Sequence, residues 1–191
     1  MLGEYPVVIR GSEIRKAIAD LGRELSGMYW GKRPVIIPLL RGAFVFAADL
    51  VRAMDTDLQV EFIGAVSYGA LTESSGEVRL TLDTNLPLAG RHVILVEDIV
   101  DTGLTLAYIQ RLLRSRDPAS LLTVVMLDKK DRRVVEVEVD RSLFDIPDRF
   151  VFGYGLDSPG GFHRNLPDVV ALGGEAGSTV NPPDDREADE G

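Results

Sequence analysis

The stretch VILVEDIVDTGLTL, residues 93–106, determines how the rest of the chain is interpreted. It begins with a run of four apolar residues, which is typical of a strand buried on both faces. Three acids, Glu97, Asp98 and Asp101, follow within five residues, and residues 102–105, Thr-Gly-Leu-Thr, then lead into an apolar run with helical spacing. Acids at the end of so apolar a strand need a polar or cationic partner.

The composition is that of one globular domain. The chain has 191 residues, of which 45% are hydrophobic and 27% are charged, and it has no cysteine. This length can bury one core, and the lack of cysteine excludes disulfides and thiolate metal sites. No apolar run is long enough to span a bilayer, and the first residues do not resemble a signal peptide. We therefore expect a cytoplasmic protein that does not bind membranes.

The net charge of −9 is concentrated near the carboxyl end, where residues 171–191 carry −5 and the rest of the chain carries −4. The segment GSTVNPPDDREADEG is polar and has almost nothing to bury. We predict a domain over residues 1–173 and a disordered acidic tail over residues 174–191. Nucleic acid is not an expected partner, because nonspecific binding to it requires a basic surface.

Strand and helix patterns alternate along the chain, which predicts an α/β fold with a mainly parallel sheet flanked by helices. In such folds ligands bind at the carboxyl ends of strands.

Pro38 is unexpected within a central strand, and residues 69–80 are small and polar, which is typical of a loop. We predict helices at 12–28, 43–54 and 105–116, and strands at 35–40, 58–68, 92–97, 120–128, 134–140 and 149–155.

The turn at residues 101–105 suits a phosphate, since it offers backbone amides at a helix start, two hydroxyls and a glycine. Glu97 and Asp98 would repel that phosphate, but they suit vicinal ribose hydroxyls or Mg²⁺. The stretch lacks the Gly-Lys-Ser/Thr of a Walker loop and the GxGxxG of a dinucleotide site. An acidic surface turn in which Thr105 caps the helix also fits these residues.

Residues 93–106 resemble the phosphoribosyl-diphosphate (PRPP) motif of type I phosphoribosyltransferases: a hydrophobic run, two acids, two apolar residues and Asp-Thr-Gly-x-Thr. The resemblance covers about residues 8–170 and is strongest to bacterial hypoxanthine(-guanine) phosphoribosyltransferases. Its other markers, in order, are LLRGAFVFAADL, SYG, LDKKDRR, IPDRFVFGYGLD and RNLPDV. It implies the fold of that family, with a small hood formed by terminal segments.

The resemblance implies a purine-salvage enzyme. It would move 5-phosphoribosyl from PRPP to N9 of hypoxanthine or guanine, giving IMP or GMP and pyrophosphate, with Mg²⁺ as cofactor. Asp101 would be the general acid/base near N7 of the purine. Glu97 and Asp98 would bind the ribose hydroxyls directly or through Mg²⁺, and Asp157 would join a second metal site. The 5′-phosphate would be held by Thr102, Gly103, Leu104 and Thr105.

Two further loops enter through the resemblance. Leu40-Arg41-Gly42 resembles the pyrophosphate loop, which often contains a non-proline cis peptide, and Arg164 would reach the same pyrophosphate. The segment before it, SPGGFH at residues 158–163, departs from the family pattern because it is one residue longer and rich in glycine and proline. Residues 67–80 resemble the mobile loop that closes over the site and excludes water, with Ser67 and Tyr68 as its signature.

The resemblance also implies how the purine is read. Lys129 would donate to the 6-oxo group, which disfavours adenine because lysine is only a donor. Phe150 would stack on the purine opposite Ile99, and Val151 would meet its edge through backbone groups. Taken alone, Phe150 and Val151 are more typical of a core strand. Lys129 in isolation fits a solvated charged turn, as do its neighbours Lys130, Arg132 and Arg133.

Other functions remain open from the sequence. The base could be xanthine, adenine or uracil, and the LDKKDRR and FVFGYGLD segments favour a 6-oxopurine. An RNA-binding regulator on the same fold would need a basic face, which the acidic composition disfavours. The intact acid pair, Asp101 and the Thr-Gly-x-Thr turn argue against a non-catalytic copy. The resemblance further suggests a homodimer or homotetramer.

Overall fold

The computed structural model describes residues 5–68 and 77–173. Most of the predicted loop and the predicted acidic tail therefore lie outside the described residues. The helices are α1 (Gly11–Met28), α2 (Phe44–Ala53) and α3 (Leu104–Arg114), with a short 3-10 helix at Lys130–Arg132. The strands are β1 (Val7–Ile9), β2 (Val35–Leu40), β3 (Gln59–Val60), β4 (Ile63–Tyr68), β5 (Glu77–Leu82), β6 (His92–Val100), β7 (Ser120–Asp128), β8 (Arg141–Asp145), β9 (Val151–Phe152) and β10 (Val169–Ala171).

The large sheet has the strand order β5-β4-β2-β6-β7-β8, with β3 beside β2. Only the β4–β5 pair in it is antiparallel. Side chains alternate between two cores: Ile94 and Val96 face the core that includes α1 and α2, while Val93 and Leu95 face the core that includes α3. Residues 93–96 of β6 are all apolar because both faces of the strand are covered there. The predicted α/β fold is confirmed.

A second, smaller sheet has the order β1-β10-β9, and both of its pairings are antiparallel. Strands β1 and β10 come from opposite ends of the described chain. The predicted hood of terminal segments is therefore confirmed. Among the described residues, the helices are too short or too polar to cross a bilayer.

Pro38 does lie in a central strand, since β2 is flanked by β4 and β6. Strand β2 pairs with β3 at Val35 and Ile36 and with β4 at Leu39 and Leu40. Pro38 falls between these two pairings on that edge, while on the other edge it is opposite Val96. A proline is tolerated where the ladder on one edge is interrupted, because its missing N–H then removes little.

The prediction of a strand at residues 134–140 was wrong, and the strand is β8 at 141–145 instead. The alternation that suggested it is real, because Val135, Val137 and Val139 are half-buried and the residues between them are exposed. Val137 and Val139 pack against the core beneath α3. One face of this extended segment is buried beneath a helix, but the segment is not part of a strand ladder. The alternation of apolar and polar residues therefore indicated an extended backbone and not a strand.

Several other boundaries also differ from the prediction, including the end of β6 at Val100. The strand at 58–68 is interrupted between β3 and β4, and β5 begins within residues assigned to a loop. The strand at 149–155 shortens to β9 because Gly153, Tyr154 and Gly155 have φ values of 94°, 51° and 101°. Backbone with positive φ cannot continue an extended strand.

Candidate active site

The ends of β2 and β6 enclose a cleft of about 760 Å³, together with single residues from β4, the hood loop and the segment after β7. Its walls are the end of β2 with residues 39–42, the end of β6 with residues 97–106, Asp157, Ala65 and Arg132. The strands are parallel, so their carboxyl ends meet at one edge of the sheet, as expected for a binding site in this fold. The structure thus brings the predicted PRPP motif and the predicted pyrophosphate loop into one cavity.

The acid pair lies at the end of β6, and both side chains are buried, Glu97 with 7% and Asp98 with 8% exposure. Burial raises the pKa of Glu97 well above its ordinary value, and the nearby Asp98 charge adds to this effect. Burial also raises the pKa of Asp98, and the positive charge of Arg164 opposes that rise. Two adjacent buried acids are costly unless a ligand uses them.

One oxygen of the pair points to such a ligand. Among the described residues, Glu97 Oε2 is a buried side-chain oxygen without a hydrogen-bond partner. The described residues contain no cluster of three or more acidic or histidine side chains that would hold a metal alone. Two neighbouring carboxylates, one of which has an oxygen without a hydrogen-bond partner, nevertheless fit Mg²⁺. This ion binds to one or two carboxylates and completes its coordination shell with waters and substrate phosphates.

The predicted pyrophosphate loop lies against this pair. The Leu40–Arg41 peptide bond is cis, as in the family that the sequence resembles. A Cβ on Gly42 would lie 1.6 Å from Asp98 Oδ2, and a Cβ on Gly155 would lie 2.3 Å from the Gly42 carbonyl oxygen. The loop is therefore held between the acid pair and the hood, with space for no side chain at either glycine.

The predicted phosphate turn leads directly into α3. Gly103 has φ of 86° and precedes the first helical residue, Leu104. The Ala107 amide donates to the Gly103 carbonyl oxygen at 2.8 Å, which closes the first turn of the helix. A helix start of this kind presents amides and a partial positive charge to an anion, so residues 102–105 have the geometry to hold a phosphate.

Asp101 follows the acid pair and is half-exposed in the cleft. Arg132 Nε donates to Asp101 Oδ1 at 3.0 Å, and Arg133 Nη1 donates to the Asp101 backbone oxygen at 2.6 Å. The side chain of Arg133 is only 19% exposed, so its interpretation as part of a solvated turn was wrong, whereas Arg132 is exposed as predicted. Arg133 also pairs with the buried carboxylate of Asp128. The basic run LDKKDRR suggested charge in the turn, but its spacing alone did not show which residue it would contact.

Lys129 is also not a solvated side chain, since it is 7% exposed. Its Nζ lies 3.9 Å from Asp148 Oδ1, and its backbone amide donates to the Val100 carbonyl oxygen at 3.0 Å. Lys130, by contrast, is exposed and pairs with Asp145. A largely buried lysine next to the end of β6 has the placement needed to donate to a ligand.

The remaining residues of the predicted purine site are divided between surface and core. Phe150 is 49% exposed, so its ring is available to a ligand. Ile99 is half-buried, and Val151 is buried in β9. Ser67 and Tyr68 end strand β4, but their side chains lie outside the described set.

Arg164 contacts Asp157, which lines the cleft. Its Nη2 lies 2.9 Å from Asp157 Oδ2, and its Nη1 donates to the Gly155 carbonyl oxygen at 2.7 Å. Gly160, Gly161 and His163 have φ values of 88°, 85° and 67°, so the loop folds back in a tight turn.

The comparisons with known proteins agree with this geometry. Residues 10–159 match the phosphoribosyl transferase domain family. The hypoxanthine-guanine phosphoribosyltransferase of Aquifex aeolicus is 42% identical over 167 residues, which cover 87% of this chain and 93% of that protein. The hypoxanthine phosphoribosyltransferase of Haemophilus influenzae is 42% identical over 163 residues, covering 84% of this chain and 90% of that protein.

Solved structures give the same result. A Bacillus anthracis hypoxanthine-guanine phosphoribosyltransferase superposes with a TM-score of 0.81 at 37% identity, covering 87% of this chain and 97% of that one. A Trypanosoma cruzi hypoxanthine phosphoribosyl transferase superposes with a TM-score of 0.83 at 41% identity, covering 90% and 94%. Sequence motif, strand order and site geometry agree with these matches, and the chain belongs to the phosphoribosyltransferase family.

Proposed function

We propose that this chain is a purine-salvage enzyme that transfers 5-phosphoribosyl from PRPP to N9 of hypoxanthine and/or guanine, giving IMP or GMP and releasing pyrophosphate. The observation that carries the proposal is the buried acid pair, with Glu97 Oε2 unpartnered, beside a helix-start turn suited to a phosphate. A sugar phosphate bearing a diol satisfies both features at once. Relatives at about 42% identity are named for the same bases.

PRPP would lie along the carboxyl edge of the sheet. Residues 102–105 would hold its 5′-phosphate, and Glu97 and Asp98 would bind its ribose hydroxyls, directly or through Mg²⁺. Bound Mg²⁺ would neutralise charge on the pyrophosphate. Asp157 would complete a second metal position. The Leu40-Arg41-Gly42 loop and Arg164 would face the pyrophosphate.

The purine would bind between Phe150 and Ile99, with Lys129 at its 6-oxo group and the backbone of Val151 at its edge. Lys129 can only donate hydrogen bonds. A 6-oxo group accepts such a bond, whereas the 6-amino group of adenine cannot, so the buried ammonium would lose this hydrogen bond. A site built around a buried donor discriminates strongly against a ligand that cannot accept.

The reaction would proceed by displacement at C1 of the ribose. The bond from C1 to the pyrophosphate oxygen breaks, the bond from C1 to N9 of the purine forms with inversion, and Asp101 accepts the proton that the base gives up. The pyrophosphate leaves with its charge balanced by Arg164 and by the backbone donors of residues 40–42. Positioning and charge stabilisation would supply most of the rate gain. Residues 67–80, with Ser67 and Tyr68, would close over the site and exclude water.

The remaining predictions extend this proposal to the whole molecule. Residues 1–173 would form the catalytic domain, residues 174–191 an acidic tail, and the enzyme would work in the cytoplasm as a homodimer or homotetramer. The C-terminal region of the Trypanosoma cruzi relative has been studied for its role in oligomeric state and activity. Light scattering of the full chain and of a chain ending at residue 173 would give the number of subunits and show whether the tail affects it.

The deciding experiment is nucleotide formation from PRPP and Mg²⁺ with hypoxanthine, guanine, xanthine and adenine assayed in parallel. We expect turnover of hypoxanthine or guanine and none of adenine. Exclusive use of xanthine or adenine would assign another base and remove the proposed role of Lys129. Absence of turnover with every base, together with PRPP binding, would contradict the proposed transfer to a purine.

A further inference from the structure

Arg133 occupies an unusual position, because one guanidinium joins two parts of the site. Its Nη2 pairs with a carboxylate oxygen of Asp128 at the end of β7. Its Nη1 donates to the backbone oxygen of Asp101 after β6, at 2.6 Å. Asp128 directly precedes Lys129, so the contact links the strand end that carries the purine-reading lysine to the residue proposed to take the proton of the purine.

The contact between Arg133 and Asp128 is buried on the Asp128 side. The Asp128 side chain is 4% exposed and that of Arg133 is 19% exposed. Burial raises the pKa of Asp128, and the charge of Arg133 is the largest influence in the opposite direction. A buried pair of this kind keeps a fixed geometry, because separating its members would leave an uncompensated charge in a low dielectric.

Backbone contacts hold the same two segments together on either side of Arg133. The Lys129 amide donates to the Val100 oxygen at 3.0 Å, and the Val134 amide donates to the Thr102 oxygen at 3.0 Å. Residues 129–134 therefore lie along residues 100–102, and Arg133 fixes the middle of that contact. The forked guanidinium is needed there, because one group must bind a carboxylate and a carbonyl in different directions.

We propose that Arg133 is a positioning residue for the transfer reaction. It sets the distance between Lys129 and Asp101 by holding the Asp101 backbone against the buried carboxylate of Asp128. The proposal rests on the proposed function, because it takes the roles of Lys129 and Asp101 from there. Arg133 itself does not line the cleft that PRPP would occupy, so its removal should disturb catalysis without removing a contact to PRPP.

The main test is Arg133→Lys, which keeps the positive charge beside Asp128 and loses the fork. We expect a melting temperature near that of wild type, KM for PRPP within about threefold, and kcat lower by about 10- to 100-fold, since a shift of about 1 Å in a reacting group can cost that much. Arg141→Gln is the matched control, because it breaks an exposed arginine–glutamate pair with Glu24 and should leave all three quantities unchanged. Wild-type kcat in Arg133→Lys would overturn the proposal.

A second variant separates positioning from stability. The double change Asp128→Asn with Arg133→Gln removes both charges of the pair. The glutamine at position 133 is too short to contact residue 128 and the Asp101 backbone oxygen at the same time. We expect the melting temperature to recover relative to Arg133→Gln alone while kcat stays low. Recovery of both quantities, or failure of both Arg133→Lys and the double variant to fold, would show that the pair serves stability only.

Amide hydrogen exchange gives a readout that does not depend on turnover. Arg133→Lys should accelerate exchange in residues 100–105 relative to wild type, while exchange in α1 stays the same. If wild type forms no nucleotide but this acceleration is seen, the proposed function fails and the positioning contact stands. If wild type is active and exchange in residues 100–105 is unchanged by the substitution, only the positioning role is overturned.

Discussion

Gly42 and the carboxylate of Asp98 are in direct contact. A Cβ on Gly42 would lie 1.6 Å from Asp98 Oδ2 and 2.4 Å from Asp98 Cγ. Asp98 is buried at the end of β6, so its side chain has little freedom to turn away. Any side chain at position 42 must therefore displace either the predicted pyrophosphate loop or one member of the acid pair.

Gly42→Ala should consequently abolish most activity while the fold survives. The displaced group is part of the site rather than of the core, so we expect kcat/KM for PRPP to fall at least about 100-fold, by analogy with other displacements of about 1 Å. Steady-state kinetics and a thermal melt of the same sample measure the two effects. Gly27→Ala is the control, because nothing lies within 4 Å of a Cβ at that position. Equal activity in the two variants would contradict the close contact.

The acid pair predicts a pH dependence of stability. The raised pKa of Glu97 means that the folded protein binds more protons than the unfolded chain above the ordinary carboxyl pKa. Stability is then greatest below that ordinary value and falls as pH rises through the raised pKa, by about 1.4 kcal/mol for each unit of the rise. The contribution of Glu97 should therefore make the metal-free protein melt at a higher temperature at pH 5 than at pH 8.

Glu97→Gln tests this directly, because it removes the buried charge and keeps the shape. The variant should be more stable than wild type at pH 8, less sensitive to pH, and much weaker in binding PRPP with Mg²⁺. Glu136→Gln, a change at an exposed glutamate, serves as the control. A melting temperature for Glu97→Gln that stays below that of wild type over the whole pH range would contradict the proposed cause.

Two adjacent lysines provide a test of purine recognition. Lys129 is buried, whereas Lys130 is exposed and bonded to Asp145. Lys129→Ala should lower kcat/KM for hypoxanthine by about 10- to 150-fold, the equivalent of the roughly 1.5–3 kcal/mol of a hydrogen bond to a charged group. Lys130→Ala should change it little. Competition assays with adenine measure selectivity, and unchanged selectivity in Lys129→Ala would count against its role.

The sequence predicted the fold well because the fold depends on strong local patterns, and the acids and turn that it singled out lie together in one cleft. Strand β6 is continuous in its hydrophobicity, and its acids and turn follow without interruption, so residues 97–105 could be located from the chain alone. The hood followed from the family resemblance rather than from any such pattern. The failed predictions concern extended segments, where Val137 and Val139 alternate with exposed residues as in a strand but pack beneath a helix.

The contacts of Arg132 and Arg133 could not be predicted for a different reason. Both lie in a basic run, and a basic run is usually a solvated surface. Their partners are Asp101, which follows β6, and Asp128, which ends β7. These two strands are neighbours only because of the sheet order, so the contacts depend on the tertiary structure. The contact between Gly42 and Asp98 is of the same kind, since it depends on β2 lying beside β6.

Asp101 provides the most direct test of the proposed chemistry. Asp101→Asn keeps the size of the side chain but replaces the proton acceptor by an amide, so turnover should fall by about 10²- to 10⁴-fold, the usual contribution of a general base. PRPP binding should survive, because residues 102–105 and the acid pair are intact. The lost ion pair with Arg132 is exposed on both sides, so stability should change little. Asp20→Asn, which breaks a comparable exposed pair with Arg23, controls for that loss. Isothermal titration with PRPP and single-turnover kinetics would separate binding from chemistry, and near-normal turnover in Asp101→Asn would place the proton acceptor elsewhere in the cleft.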